Sequence, residues 1–190
     1  MITRFRPITA ALLIAAAAFV VVPAYHAVAE TDAQADAGLR ADARAALASL
    51  YSQTPAAKAL GDQAKAVLVF PNVVKAGFIV GAQYGNGVLL KGGKTVGYYN
   101  TVQGSVGYQA GVEKFGYALF LMTDSAVKYL NDSQGWELGV GPEIVIVDQG
   151  AAAQLSTTTA KKDVYAFYFD QKGLMGGVSI QGTKVTHLDK

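Results

Sequence analysis

The chain has 190 residues, no cysteine, 21 glycines and a formal net charge of +2. Without cysteine there is no disulfide framework, no catalytic thiolate and no thiolate metal ligand. A basic stripe able to neutralise nucleic-acid phosphates is missing too. Once the leader expected below is removed, Arg4 and Arg6 go with it, and 14 basic residues face 14 acidic ones.

The N-terminus predicts a cleavable secretory leader over residues 1–29. Arg4 and Arg6 form a positive start, Ile8 to Val22 carries no charge, Pro23 breaks the run, and Ala27-Val28-Ala29 supplies the small residues that signal peptidase reads. Cleavage is expected between Ala29 and Glu30. A retained anchor is the alternative, but the run is short of the roughly 20 residues that span hydrocarbon. No cysteine follows the run, so an N-terminal lipid is not expected, and Phe5 parts the two arginines, against the twin-arginine route. The expected destination is the periplasm or cell envelope of a bacterium.

Residues 30–66 form an alanine-rich helical segment. Leu39, Ala43, Leu47, Leu50 and Tyr51 fall on one helical face, with Asp36, Arg40 and Arg44 on the other. Thr54-Pro55 ends this helix and starts a shorter one that reaches about Lys65. The pair is expected to pack on a sheet. A membrane-touching helix is the alternative, but the apolar face lacks the Trp, Phe and Lys density of interfacial helices.

Residues 67–190 read as a glycine-rich β core. Val67 to Phe70 is a strand expected to stop at Pro71-Asn72. Gly77 to Tyr84 and Val88 to Lys91 flank Gly85-Asn86-Gly87, which reads as a hairpin turn, and Gly92-Gly93 marks the next one. Further strands are expected over 95–109, 115–122, 143–147, 164–169 and 176–180, with one helix from Asp124 to Leu130 capped by Thr123. Tyr117 to Met122 and Val164 to Phe169 are apolar at consecutive positions, so both faces of these strands call for burial. Glycines within strands suggest sharp coiling. The predicted fold is α+β: a strongly curled, mainly antiparallel sheet, bowl- or barrel-like, with the N-terminal helices packed against it.

Little here is catalytic. After cleavage one histidine remains, His187, and no Gly-x-Ser-x-Gly elbow accompanies it; Gly104-Ser105-Val106-Gly107 is only an echo. The carboxylates are scattered, with no spacing that suggests a metal site. The glycine-rich loops fit neither a P-loop nor a dinucleotide fingerprint. No enzyme activity, cofactor or metal is expected, with a hydrolase using His187 as the remote alternative.

The ordered motifs resemble a known family. Ala66-Val67-Leu68-Val69-Phe70-Pro71-Asn72-Val73-Val74-Lys75-Ala76-Gly77-Phe78 is similar to the opening of the SYLF domain, also called the Ysc84 domain. Gly97-Tyr98-Tyr99-Asn100, Gly104-Ser105-Val106-Gly107, Gly135 to Gly141, Asp148-Gln149-Gly150, Lys172-Gly173-Leu174-Met175 and Ile180 to Lys184 follow in order. Eukaryotic members of that family bind phosphoinositides, and yeast members bind actin and an actin-nucleation factor. The resemblance therefore implies a non-catalytic lipid-binding module. In an exported protein, anionic membrane lipids replace phosphoinositides and actin as the expected partners. An envelope adaptor that binds another protein is the second reading.

An anionic headgroup needs cations beside apolar surface. Lys75 and Lys184 lie within matched motifs next to apolar strands, and Lys91 and Lys94 flank a hairpin; these four are the candidate headgroup ligands. Phe78 and Trp136 are the candidate apolar membrane contacts, with core packing as the other reading of Trp136. The sequence does not set the oligomeric state.

Overall fold

The computed structural model describes residues 25–106, 111–132, 135–147, 161–173 and 180–189. The leader run Ile8–Val22 lies outside them, as do Asp148-Gln149-Gly150 and the expected strand residues 176–179. Two helices come first, α1 (Tyr25–Gln53) and α2 (Pro55–Gly61). Four long strands follow: β1 (Ala66–Gly77), β2 (Val80–Lys91), β3 (Lys94–Val106) and β4 (Gly111–Leu121). Then come α3 (Asp124–Asp132), β5 (Trp136–Glu137), β6 (Ile144–Val147), β7 (Val164–Gly173) and β8 (Lys184–Leu188).

All eight strands join one curled sheet in the order β5-β8-β3-β2-β1-β4-β7-β6. Every neighbouring pair is antiparallel except β6 and β7, which run parallel. The predicted α+β class with a curled, mainly antiparallel sheet therefore describes the molecule. No helix among the described residues is long and apolar enough to cross a membrane.

The sheet buries both faces over half its length. On its inner face Leu68, Phe70, Leu119, Leu121 and Val164 form a core closed by Ala126 and Leu130 of α3 and by Trp136. Thr123 caps α3 by accepting a hydrogen bond from the Ala126 N–H at 3.2 Å. On the outer face Val67, Val69, Val88, Phe120 and Phe167 pack beneath Ala43 and Leu50 of α1 and Ala57 and Leu60 of α2. The expected apolar stripe of α1 thus faces the sheet. Arg40 and Arg44, expected on the solvent side, instead reach across to β3: Arg40 donates to the Tyr98 hydroxyl and Arg44 to the Gly93 carbonyl.

Two expected chain reversals are not reversals. Pro71-Asn72 does not end β1. The register slips between Val69 and Asn72 against β2, and between Phe70 and Val73 against β4, so β1 carries one extra residue against both neighbours. Proline has no N–H to give a ladder, and a bulge is where a central strand tolerates it. Gly85-Asn86-Gly87 is not a turn either but the middle of β2. A Cβ on Gly87 would stand 2.5 Å from Cδ1 of Phe70, so this glycine makes room for a core ring. The turn between β2 and β3 is Gly92-Gly93, where φ values of +54° and +76° suit a two-residue hairpin loop.

Candidate functional site

The bulge at Phe70–Asn72 decides which side chains face outward beyond it. Val73, Lys75, Gln83 and Glu113 point to the inner face, and Val74, Ala76, Tyr84 and Val112 to the outer one. The helices bury the outer face from Val67 and Val69 across to Val88 and Phe167, and beyond the bulge Leu39 meets only the margin of the sheet near Val74 and Tyr84, so the far half is largely bare. Val74, Tyr84, Val102 and Val112 are exposed there. This surface runs into the β1–β2 hairpin, whose tip is Phe78-Ile79-Val80, exposed by 72, 53 and 68%. Three consecutive large apolar residues at a hairpin tip, continuous with an apolar sheet face, mark a contact surface.

Lysines bracket this surface. The ladder sets Lys184 opposite Val102, Val102 opposite Tyr84, Tyr84 opposite Val74, Val74 opposite Lys114, and Lys114 opposite Lys172. One lateral row thus reads Lys184, Val102, Tyr84, Val74, Lys114, Lys172, spanning roughly 24 Å at about 4.8 Å per strand. Lys58, Lys128 and Lys162 form ion pairs with Asp62, Asp132 and Glu143. Lys114, Lys172 and Lys184 form none among the described residues. Among the described residues Glu137, opposite Lys184 at the edge strand, is the one acidic residue in register with the row.

The structure separates the four lysines chosen from sequence. Lys184 is in the row. Lys91 and Lys94 face each other across the Gly92-Gly93 turn, eight residues of β2 and roughly 26 Å from the level of Lys75. Lys75 is 7% exposed and directly opposite the buried Glu113 of β4. It is one of a polar group on the inner face, where Gln83 donates to Thr183, Thr183 to Gln103, and the Tyr117 hydroxyl to Thr101. Burial there pushes the Tyr117 and Tyr168 hydroxyls well above the usual phenol range, with the Glu113 charge adding to the rise at Tyr168. Lys75 is thus placed inside the fold, away from any surface headgroup.

This placement predicts a stability effect. One oxygen of Glu113, Oε2, has no hydrogen-bond partner among the described residues. Lys75→Ala removes the adjacent cation and strands a buried carboxylate, at an expected cost of about 3 kcal/mol. Urea denaturation checks it, and Lys75→Met with Glu113→Leu is expected to recover most of the loss.

Of the apolar candidates, Phe78 stands at the hairpin tip and Trp136 does not reach the surface. Trp136 is fully buried, donates from Nε1 to the Val140 carbonyl at 2.9 Å, and meets Tyr129 edge-on. Its core reading holds. Lys114 and Lys172 were not singled out from sequence. Their signal is weak: each lies in a strand, and only the register brings them together beside Val74. His187 packs edge-on against Tyr99, with Nδ1 3.4 Å from Asp189. Among the described residues no three His, Asp or Glu side chains gather as metal ligands.

No curated protein matches the chain. The family model described as "Ysc84: Las17-binding protein actin regulator" matches residues 102–190, from within β3 through β8. The motifs from Ala66 to Phe78 lie upstream of that stretch. The match, over 89 of the 190 residues, supports a Ysc84, or SYLF, domain in this chain.

Proposed function

We propose that this protein is a non-catalytic binding module that docks on anionic membrane surfaces, in an exported form within the cell envelope. The observation that carries this reading is the bare apolar half-sheet with its Phe78-Ile79-Val80 tip, bracketed by Lys184 on one side and by Lys114 and Lys172 on the other. Apolar surface gains from leaving water, and each lysine near an anionic leaflet adds about 1 kcal/mol. A second copy of the chain is a poor occupant. A two-fold pairing of the row sets Lys184 against Lys172 of the other copy, like charge against like charge.

Co-sedimentation with vesicles tests the reading. Binding to phosphatidylcholine vesicles containing phosphatidylglycerol is expected to exceed binding to phosphatidylcholine alone, and to fall as salt is added. Lys114→Gln with Lys172→Gln removes about 2 kcal/mol of attraction and is expected to weaken binding about 30-fold. Equal binding to charged and neutral vesicles, unmoved by salt, would overturn it.

A further inference from the structure

We infer that a groove beside the lysine row takes one acyl chain of an anionic membrane phospholipid, with the headgroup at Lys114. This rests on the membrane reading above and adds the part of the lipid that it leaves open. The groove has a volume of about 390 Å³ and lies where α1 meets the bare half-sheet, lined by Leu39, Val74, Ala82, Tyr84 and Gly85 among others. Its walls are Leu39 from α1 and the Tyr84 ring from β2. The small outward residue Ala82 leaves room beside them.

Three observations choose the occupant. The groove lining is largely apolar, and the Tyr84 hydroxyl is turned to Asn86, donating to its Oδ1 at 2.8 Å. The groove shares Val74 and Tyr84 with the lysine row, so it opens onto the cationic surface rather than standing apart from it. Its two sides differ in charge. Asn72, in its lining, donates to Asp42 of α1, whereas Val74, on the side of β4, stands opposite Lys114. An amphiphile with an anionic head therefore has one orientation open to it, head at Lys114 and tail running beneath Leu39. A methylene takes up roughly the volume of a water molecule, about 30 Å³, so the groove accepts on the order of ten carbons. That suits a single unbranched tail and is too small for two.

Photo-crosslinking from vesicles tests this on the full chain. The probe is phosphatidylglycerol with a diazirine midway along one acyl chain, diluted into phosphatidylcholine and phosphatidylglycerol vesicles. After irradiation, adducts are mapped by mass spectrometry of the digested protein. The expected result is labelling of Leu39, Val74, Ala82 and Tyr84. Ala82→Trp fills the groove from an exposed position and is expected to lower the Leu39 adduct at least five-fold, with vesicle sedimentation retained. Adducts confined to Phe78–Val80, or a Leu39 adduct that Ala82→Trp does not change, would overturn the groove and leave the membrane reading standing. Absence of both sedimentation and adducts would overturn both. Labelling of Leu39 by a free diazirine fatty acid but not by the phospholipid would reject the phospholipid as its source.

Discussion

Phe78→Asp combined with Ile79→Asp is expected to weaken binding to phosphatidylglycerol vesicles about a hundredfold while leaving the melting temperature almost unchanged. The two effects separate because the tip touches so little of the fold. Phe78 and Ile79 are more than half exposed, and substitutions at such surface positions usually move stability by no more than about 0.5 kcal/mol. On a membrane the same side chains leave water, at about 1.5–3 kcal/mol for each one fully buried. Two carboxylates in their place add repulsion from the anionic surface. Vesicle co-sedimentation gives the affinity and thermal circular dichroism the stability. A variant that melts as wild type does and sediments with vesicles equally well would remove the tip from the interface.

The second large effect concerns the single tryptophan. Trp136→Ala is expected to cost about 3–5 kcal/mol, a large share of the 5–15 kcal/mol typical of a domain. It opens a void beneath α3 and leaves the Val140 carbonyl without its donor. Since Trp136 is the only tryptophan, its fluorescence reports on that site alone. Emission is expected to be that of a buried indole and to stay unshifted when vesicles are added. Trp136→Phe, which keeps an aromatic ring in the core, is expected to bind vesicles as wild type does. A vesicle-dependent blue shift would place the indole at the membrane and contradict its burial.

The fold class was legible in the sequence because burial demands leave strong local marks. Tyr117 to Leu121 is apolar at every position, and each is buried. The helix start at Pro55 and the Thr123 cap follow from backbone chemistry confined to a few residues. What was illegible depended on partners far away in the chain. Pro71 reads as a stop because a strand interior rejects proline; only β2 and β4 on either side show that it sits in a bulge. Gly85 and Gly87 read as a turn because the ring of Phe70, which Gly87 admits, lies across the sheet. β5 has only two residues, and its pairing to β8 leaves no periodic trace.

The candidate site was harder to read for the same reason. Side chains alternate along a strand, so one extra residue exchanges the two faces. The bulge at Phe70–Asn72 turns Lys75 inward and Val74 outward. A second irregularity lies in β7, where the register slips opposite Lys114 and Gly116 and Asp170 has a φ of +53°. It fixes where Lys172 meets Lys114. A motif containing a lysine beside an apolar strand cannot reveal which side of the sheet that lysine takes.

The strand order also bears on how this domain can be inherited or transplanted. The stretch that carries the family match begins at residue 102, yet β1 and β2 separate β3 from β4 in the sheet. Residues 102–190 alone would hold β5 and β8 as one fragment and β4, β7 and β6 as another, with no strand to join them. Recombination at that boundary would deliver two orphan ribbons instead of a module. The smallest portable unit of the sheet therefore starts at or before Ala66, and the Pro71 bulge must travel with it.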